Sequence, residues 1–104
     1  MTLAEFGAMI ADIDPKAKRY FSTERGPFTV WHEYEQIDAY ADGSNQGGWK
    51  VQVERYTREA QDQVAEALRN AFEQSDSVAF AYLVDSQQEE EGVLIRHLFD
   101  CEVW

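Results

Sequence analysis

The chain has 104 residues, of which 44% are hydrophobic, so it has the size of one domain and is too apolar to be disordered. Its net charge is −11, and because acids and bases cancel over residues 1–26, residues 27–104 carry all of it, which excludes direct recognition of a nucleic-acid backbone. The single cysteine excludes an intrachain disulfide, and without a basic N-terminal region or a run of about 20 apolar residues we expect a cytosolic protein with neither signal peptide nor membrane span.

The first predicted element is a helix that begins after Thr2 and ends at Asp14. Thr2 is a suitable N-cap, and one apolar face is formed at helical spacing by Leu3, Phe6, Ile10 and Ile13. Asp14 precedes Pro15, and a residue before proline is disfavoured in the helical conformation. Residues 15–27 then form a polar connector that holds a small basic cluster.

Two strands are predicted next, over Phe28–Glu35 and over residues 49–57. In the first strand, one face carries Phe28, Val30, His32 and Tyr34, and the other carries Thr29, Trp31, Glu33 and Glu35. In the second, the inward face carries Trp49, Val51 and Val53. Because Trp31 and Tyr56 lie opposite the aliphatic residues, we expect apolar groups on both sides of the sheet, one side covered by helices and the other by a neighbouring subunit.

The stretch 36–48 between these strands has the composition of a loop, with seven Gly, Asp, Ser or Asn residues. Its oxygen donors Asp38, Asp42, Ser44 and Asn45 do not form an EF-hand pattern, because such a loop closes with a glutamate at position twelve and lies between helices. Position twelve counted from Asp38 is Trp49. We therefore expect a plain loop that is mobile in the isolated subunit and orders on assembly.

A second helix of about 16 residues is predicted from Thr57, its expected N-cap, to a break at Ser75-Asp76-Ser77. Its apolar stripe consists of Ala60, Val64, Ala67, Leu68, Ala71 and Phe72. Two more strands follow, Val78–Val84 and Val93–Trp104, joined by an acidic turn over 85–92. One face of the last strand carries Val93, Ile95, His97, Phe99, Cys101 and Val103.

The predicted order is αββαββ in a single α+β domain over residues 1–104. Strands joined by hairpins and segregated from the helices indicate an antiparallel four-stranded sheet with both helices packed on one face. The second helix connects the two hairpins.

No arrangement of residues predicts a catalytic, metal or cofactor site. His97 and Cys101 lie four residues apart along a strand, roughly 13 Å, which is too far for a nucleophile to pair with its base. Both are expected to pack in the core. His32-Glu33 lacks the second histidine of a zinc-protease motif and lies on a strand.

The stretch Gln52–Thr57 reads Gln-Val-Glu-Arg-Tyr-Thr, follows a polar loop with Ala41-Asp42, and precedes a helix with Asp62, Glu66 and Leu68. This arrangement resembles the tail terminator, or tail-completion and tail-to-head joining, proteins of long-tailed bacteriophages. Members often have an aromatic strand, an Ala-Asp loop, and a strand that ends in Gln-Ile-Glu-Leu-Tyr-Thr before the second helix. The similarity covers residues 28–104. Arg55 departs from it, since the family usually has an aliphatic residue there, and Gly47-Gly48 gives an unusually flexible approach to the strand.

The resemblance implies a non-catalytic structural protein without metal or cofactor. Its subunits would form a ring, expected to be a hexamer, at the head-proximal end of the tail tube, where the ring ends tube growth and joins tail to head. The partners would be further copies of the chain, the tail-tube protein and the head-connector protein. The location would be the virion tail, after assembly in the bacterial cytoplasm. The candidate assembly interface comprises Tyr40, Asp42, Asn45, Trp49, Glu89, Glu90 and Glu91.

Two other functions stay open at this point. An acidic module that mimics DNA would bind a basic host protein, such as a nuclease, and compete with DNA in a salt-sensitive way, whereas a tail protein would bind tail-tube protein. A small enzyme would need a pocket with convergent polar groups. The acidity has a simpler explanation in solubility through self-repulsion.

Overall fold

The computed structural model describes residues 1–37, 40–41, 44–45 and 47–104, the two short pairs by their backbone alone. In this part of the chain the elements are, in order, α1 (Leu3–Ile13), β1 (Lys18–Arg19), β2 (Phe28–Ile37), β3 (Tyr40–Ala41), β4 (Ser44–Asn45), β5 (Gly48–Thr57), α2 (Gln63–Gln74), β6 (Val78–Glu89) and β7 (Gly92–Val103).

The main sheet has the strand order β1-β2-β5-β7-β6, and β3 and β4 form a separate small ladder. The four long strands are antiparallel as predicted, and the α+β class is confirmed. The prediction of a purely antiparallel four-stranded sheet is wrong in one detail, because β1 adds a fifth strand parallel to β2. A strand of two residues is too short to show an alternating pattern in the sequence. Its pairing with β2 is continued by a hydrogen bond from the Tyr20 N–H to the Trp31 carbonyl at 2.7 Å.

The first helix forms as predicted. The Thr2 hydroxyl accepts a hydrogen bond from the Glu5 N–H while the Glu5 carboxylate accepts one from the Thr2 N–H, so both ends of a capping box are present. Phe6 and Ile10 are buried on the predicted apolar face, and Asp14 ends the helix.

The second helix begins five residues later than predicted, at Gln63. The predicted cap, Thr57, is buried and continues β5, where it pairs with Ile95. Asp62 is the actual N-cap, since its carboxylate accepts a hydrogen bond from the Ala65 N–H. Of the predicted stripe only Leu68 and Phe72 are fully buried, because the helix packs through them and Ala65, while Ala60 lies outside the helix and is exposed.

The hairpin of β6 and β7 is much longer than predicted. Residues predicted as an acidic turn continue the ladder to the pair Glu89–Gly92, which leaves two residues at the tip. A cross-strand ion pair between Arg96 and Asp85, with Nη2 to Oδ2 at 2.6 Å, stabilises the strand pairing in this polar stretch. Gly92 supplies the positive φ of 128° that the turn requires. The hairpin contributes to a molecule 55 Å long and only 23 Å wide.

Both helices pack on one face of the sheet, called here the helix face, and leave the opposite face, the open face, uncovered. The buried core on the helix face consists of Phe6, Ile10, Trp31, Val51, Val53, Leu68, Phe72, Phe99, Cys101 and Val103. Its aromatic rings interlock, with Phe72 stacked on Phe6 at 5.5 Å and edge-on to Phe99 at 5.3 Å.

Trp31 belongs to this core, so the prediction that it lies opposite the aliphatic residues is wrong. It pairs with Val53 across the strands and therefore shares the helix face. A Cβ at Gly7 would lie 2.7 Å from Cζ2 of Trp31, so the indole packs against α1 where only glycine leaves room for it. Tyr56 does lie on the open face, stacked on Phe28 with ring centroids 4.8 Å apart.

Candidate functional site

A buried group of polar side chains surrounds Arg55, which is 7% exposed on the helix face. Its guanidinium donates from Nε and Nη2 to the two carboxylate oxygens of Asp62, at 2.9 and 3.3 Å, and from Nη1 to Asp14 and Thr29, both at 3.4 Å. Burial alone would raise the pKa of Asp62, but hydrogen bonds from Arg55 and from the Ala65 N–H outweigh it and lower that pKa. Arg55 thus joins the end of α1, the start of α2 and the sheet.

His97 lies opposite Arg55 in the ladder and is 2% exposed. Its Nδ1 is 2.7 Å from the Tyr82 hydroxyl, whereas Nε2 is buried and has no hydrogen-bond partner among the described residues. Burial lowers the pKa of His97; the Asp62 carboxylate opposes this and the Arg55 cation adds to it. The imidazole is therefore held neutral.

Cys101 lies on the same strand as His97, β7, and packs in the core as predicted. The thiol is completely buried, and burial raises its pKa to about 12. A thiolate is the reactive form of cysteine, so this side chain is suited to packing and not to nucleophilic chemistry.

Four hollows on the described surface are lined by other residues, and Arg55, Asp62 and His97 contribute to none of these four. Within the described residues, no three His, Cys, Asp or Glu side chains come together as a metal site would require. The arrangement holds the two helices on the sheet.

The open face carries a hollow of about 310 Å³, called here the acidic hollow, lined by Tyr34, Lys50, Ala79, Phe80, Ala81, Asp100 and Glu102. The Tyr34 hydroxyl donates to Asp100 at 2.7 Å, and this bond raises the pKa of Tyr34 to about 12. Lys50 is paired with Glu35, with Nζ to Oε2 at 3.1 Å. The hollow therefore presents small alanines beside two exposed carboxylates.

The rest of the open face mixes apolar and charged side chains. Beside the Phe28–Tyr56 stack, Arg96 is paired with Asp85 and lies 3.6 Å from a carboxylate oxygen of Glu54. The Tyr56 hydroxyl donates to Glu54. Most charges on this face are thus already matched within the chain, which suits a surface that contacts protein better than one that binds a free ion.

The two edges of the sheet differ in how they are protected. At the β2 edge, β1 covers Val30 and Trp31, and a register shift between Glu33 and Glu35 marks a bulge. The β6 edge has no partner among the described strands, and Val78–Val84 reads Val-Ala-Phe-Ala-Tyr-Leu-Val without charge, proline or glycine. Leu83 and Val84 on this strand are 53% and 47% exposed. Such an edge is a template for pairing with another chain.

The residues predicted as an assembly interface lie at opposite ends of the sheet. Trp49 is half-buried against the core and pairs with Val103, whereas Glu89, Glu90 and Glu91 lie at the hairpin tip, where Arg58 Nη2 is 3.1 Å from Glu89 and 3.8 Å from Glu91. The eleven residue-to-residue steps from Gly92 to Val103 along β7 span roughly 37 Å. Trp49 and the three glutamates therefore do not form one patch.

The prediction of a plain loop over 36–48 is wrong in the described part of that stretch, because β2 extends to Ile37, β3 pairs with β4, and β5 begins at Gly48. Asp42 lies outside the described residues, and the expected mobility of the stretch stays a prediction. Tyr40 and Asn45 are paired through their backbones in the β3–β4 ladder.

Sequence reasoning missed an exposed aromatic pair beside β1. Phe21 is 73% and Tyr20 59% exposed, and Tyr20 has a φ of 78°, a conformation that non-glycine residues rarely adopt. A signal for this site was present, because residues 16–25 contain four of the nine bases of the chain next to these two aromatic residues.

No protein-family model matches this chain, and the curated proteins contain no match to it. Neither helix in the described part of the chain is long and apolar enough to cross a bilayer.

Proposed function

We propose that the chain is a non-catalytic subunit of a ring at the head-proximal end of a bacteriophage tail tube, which ends tube growth and joins tail to head. The observation that carries this proposal is the unprotected β6 edge beside an uncovered sheet face. Natural sheets protect their edges with charges, prolines, bulges or short strands. The Val78–Val84 part of β6 has none of these and is expected to pair with another chain.

The charge of the chain supports the same function. The net charge of −11 belongs to residues 27–104, and a ring lumen lined by carboxylates repels passing DNA and does not retain it. All five bases of residues 27–104 are paired with carboxylates of the same chain and are not free to hold DNA: Lys50, Arg55, Arg58, Arg69 and Arg96. A solved ring with a neutral or basic lumen would contradict this part of the proposal.

The proposal is tested by assembling the tail-tube protein encoded by the same genome with and without this chain. We expect the chain to bind one end of the tubes and to shorten them. Leu83→Lys should weaken this effect, because a charge at an edge strand opposes pairing, while half-exposure of Leu83 lets the fold persist. Asn70→Lys, which adds the same charge on the exposed surface of α2, is the matched control.

Three outcomes would contradict the proposal. Tubes of unchanged length and a chain that stays unbound would contradict a role at the tube end. Equal effects of Leu83→Lys and Asn70→Lys would contradict the role of the β6 edge. Salt-sensitive competition with DNA for a basic host protein, without tube binding, would indicate the DNA-mimic function in its place.

A further inference from the structure

One segment of the chain differs in charge from all the rest. Residues 16–25, called here the basic knob, carry Lys16, Lys18, Arg19 and Arg25 against the single acid Glu24, a net charge of +3 on a chain of −11. The knob also presents Phe21, which at 73% is the most exposed large apolar side chain in the described part of the chain. An exposed aromatic residue in a basic segment is a typical anchor of a protein interface.

The base of the knob is fixed to the sheet by several contacts. The Arg19 guanidinium is paired with Glu33 and lies 4.9 Å from the centre of the Trp31 ring, and the Tyr20 hydroxyl donates to Glu33. The Tyr20 N–H donates to the Trp31 carbonyl. These contacts maintain the positive φ of Tyr20 and leave Phe21 projecting from a rigid support, so little ordering is needed when it binds.

The acidic hollow has the complementary chemistry. It is lined by the exposed residues Ala79 and Ala81, whose small side chains leave room for a ring, and by the exposed carboxylates of Asp100 and Glu102. Lys50, the cation at its border, is paired with Glu35, so the hollow keeps an excess of negative charge. The acidic hollow reaches the β6 edge of the sheet, whereas the knob contains β1 and lies at the other edge.

We propose that the basic knob of one copy docks in the acidic hollow of a second copy, with Phe21 against the two alanines and Lys18 and Arg25 near Asp100 and Glu102. A second copy carries the complementary charge for each of these two surfaces. Two chains of −11 repel each other in other orientations, so charge selects the orientation in which the knob of one copy faces the acidic hollow of the other. The contact places the next subunit beside the unprotected β6 edge.

This contact joins different surfaces of two identical chains. Such a head-to-tail contact propagates, and it produces a closed ring when the rotation between subunits closes. The inference builds on the ring proposed above and assigns its subunit contact.

The contact is tested by the oligomeric state of the full chain, measured by sedimentation velocity alone and with tail-tube protein. We expect Phe21→Ala, and separately the charge reversals Lys18→Glu/Arg25→Glu and Asp100→Lys/Glu102→Lys, to weaken self-association by roughly tenfold or more. Val93→Ser, at an exposed apolar residue of the hairpin away from both surfaces, is the control that should not change it. Circular dichroism checks that each variant is folded.

A chain that carries both sets of reversals gives the decisive readout. It has an acidic knob and a basic hollow, so self-association should return, and high salt should weaken it as in the wild type. Failure of this rescue in a folded chain, unchanged association of Phe21→Ala, or a wild-type chain that stays monomeric even with tube protein would overturn the inference.

The same experiments separate this inference from the proposed function. Rings that depend on Phe21 but do not bind tail tubes would contradict the proposed function alone. Tubes that are capped equally well by Phe21→Ala and by the wild type would contradict the subunit contact alone.

Discussion

Arg55 and Asp62 form a two-bond ion pair under the start of α2, with Nε to Oδ2 at 2.9 Å and Nη2 to Oδ1 at 3.3 Å. The same carboxylate caps the helix through the Ala65 N–H. A third nitrogen of the guanidinium reaches Asp14 at the end of α1. One side chain of the sheet therefore fixes the ends of both helices.

The first prediction concerns this pair. Arg55→Met should lower the free energy of unfolding by about 3–5 kcal/mol, because it leaves two carboxylates with little exposure and no cation. Urea unfolding measures the change. Arg69→Met is the matched control, since its pair with Glu73 is half exposed and should contribute only about 0.5 kcal/mol or less. Equal losses for the two variants would contradict the structural role of Arg55.

The second prediction concerns pH and His97, which faces Tyr82, Arg55 and Asp62. Its folded pKa is lowered, so below about 6.5 the unfolded chain takes up a proton at this ring before the folded chain does. The free energy of unfolding should therefore fall as the pH drops from 7 towards 5, and His97→Gln should reduce this slope. Parallel pH profiles of the wild type and His97→Gln would show that the ring does not contribute.

The third prediction concerns Cys101. Because the thiol is fully buried and its pKa is about 12, iodoacetamide should not alkylate it in the folded chain and should do so readily in urea. Cys101→Ser should lower the free energy of unfolding by about 1–3 kcal/mol, since a hydroxyl replaces the thiol in an apolar site. Mass spectrometry measures the alkylation. Rapid alkylation of the native chain would contradict the burial of the thiol.

The fourth prediction concerns Gly7. Gly7→Ala would raise helix propensity by about 1 kcal/mol but places a Cβ 2.7 Å from the Trp31 ring, and overpacking of this kind costs about 1–3 kcal/mol. We expect a net loss of thermal stability. In a Trp31→Phe background the clash is removed, so the same substitution should become neutral or stabilising. A stabilising Gly7→Ala in the wild-type background would show that the indole is not held there.

The features that could be predicted from the sequence are those with a strong local signal. The Thr2 cap and the Phe6–Ile10 spacing located α1, and the alternation from His97 to Val103 identified the buried face of β7. The order of the two helices and the four long strands followed from these patterns and their breaks, whereas the short strands β1, β3 and β4 were not predicted.

The features that could not be predicted depend on contacts distant in sequence. Thr57 and Asp62 are both good N-caps, and the choice of Asp62 follows from its pairing with Arg55 and from the position of Thr57 in the ladder. The extension of the hairpin depends on the Asp85–Arg96 pair, which appears in the sequence only as two charges in a polar stretch. The basic knob is visible in the sequence as a cluster of bases. The exposure of Phe21 could not be predicted, because it depends on the pairing of β1 with β2.

In the proposed function, this chain forms rings that end a tail tube. Electron microscopy of tubes assembled from the tail-tube protein of the same genome, with and without the chain, tests it most directly. We predict a ring of this chain at one end of each tube and a shorter, narrower distribution of tube lengths. Bare tube ends with an unchanged length distribution would contradict the account.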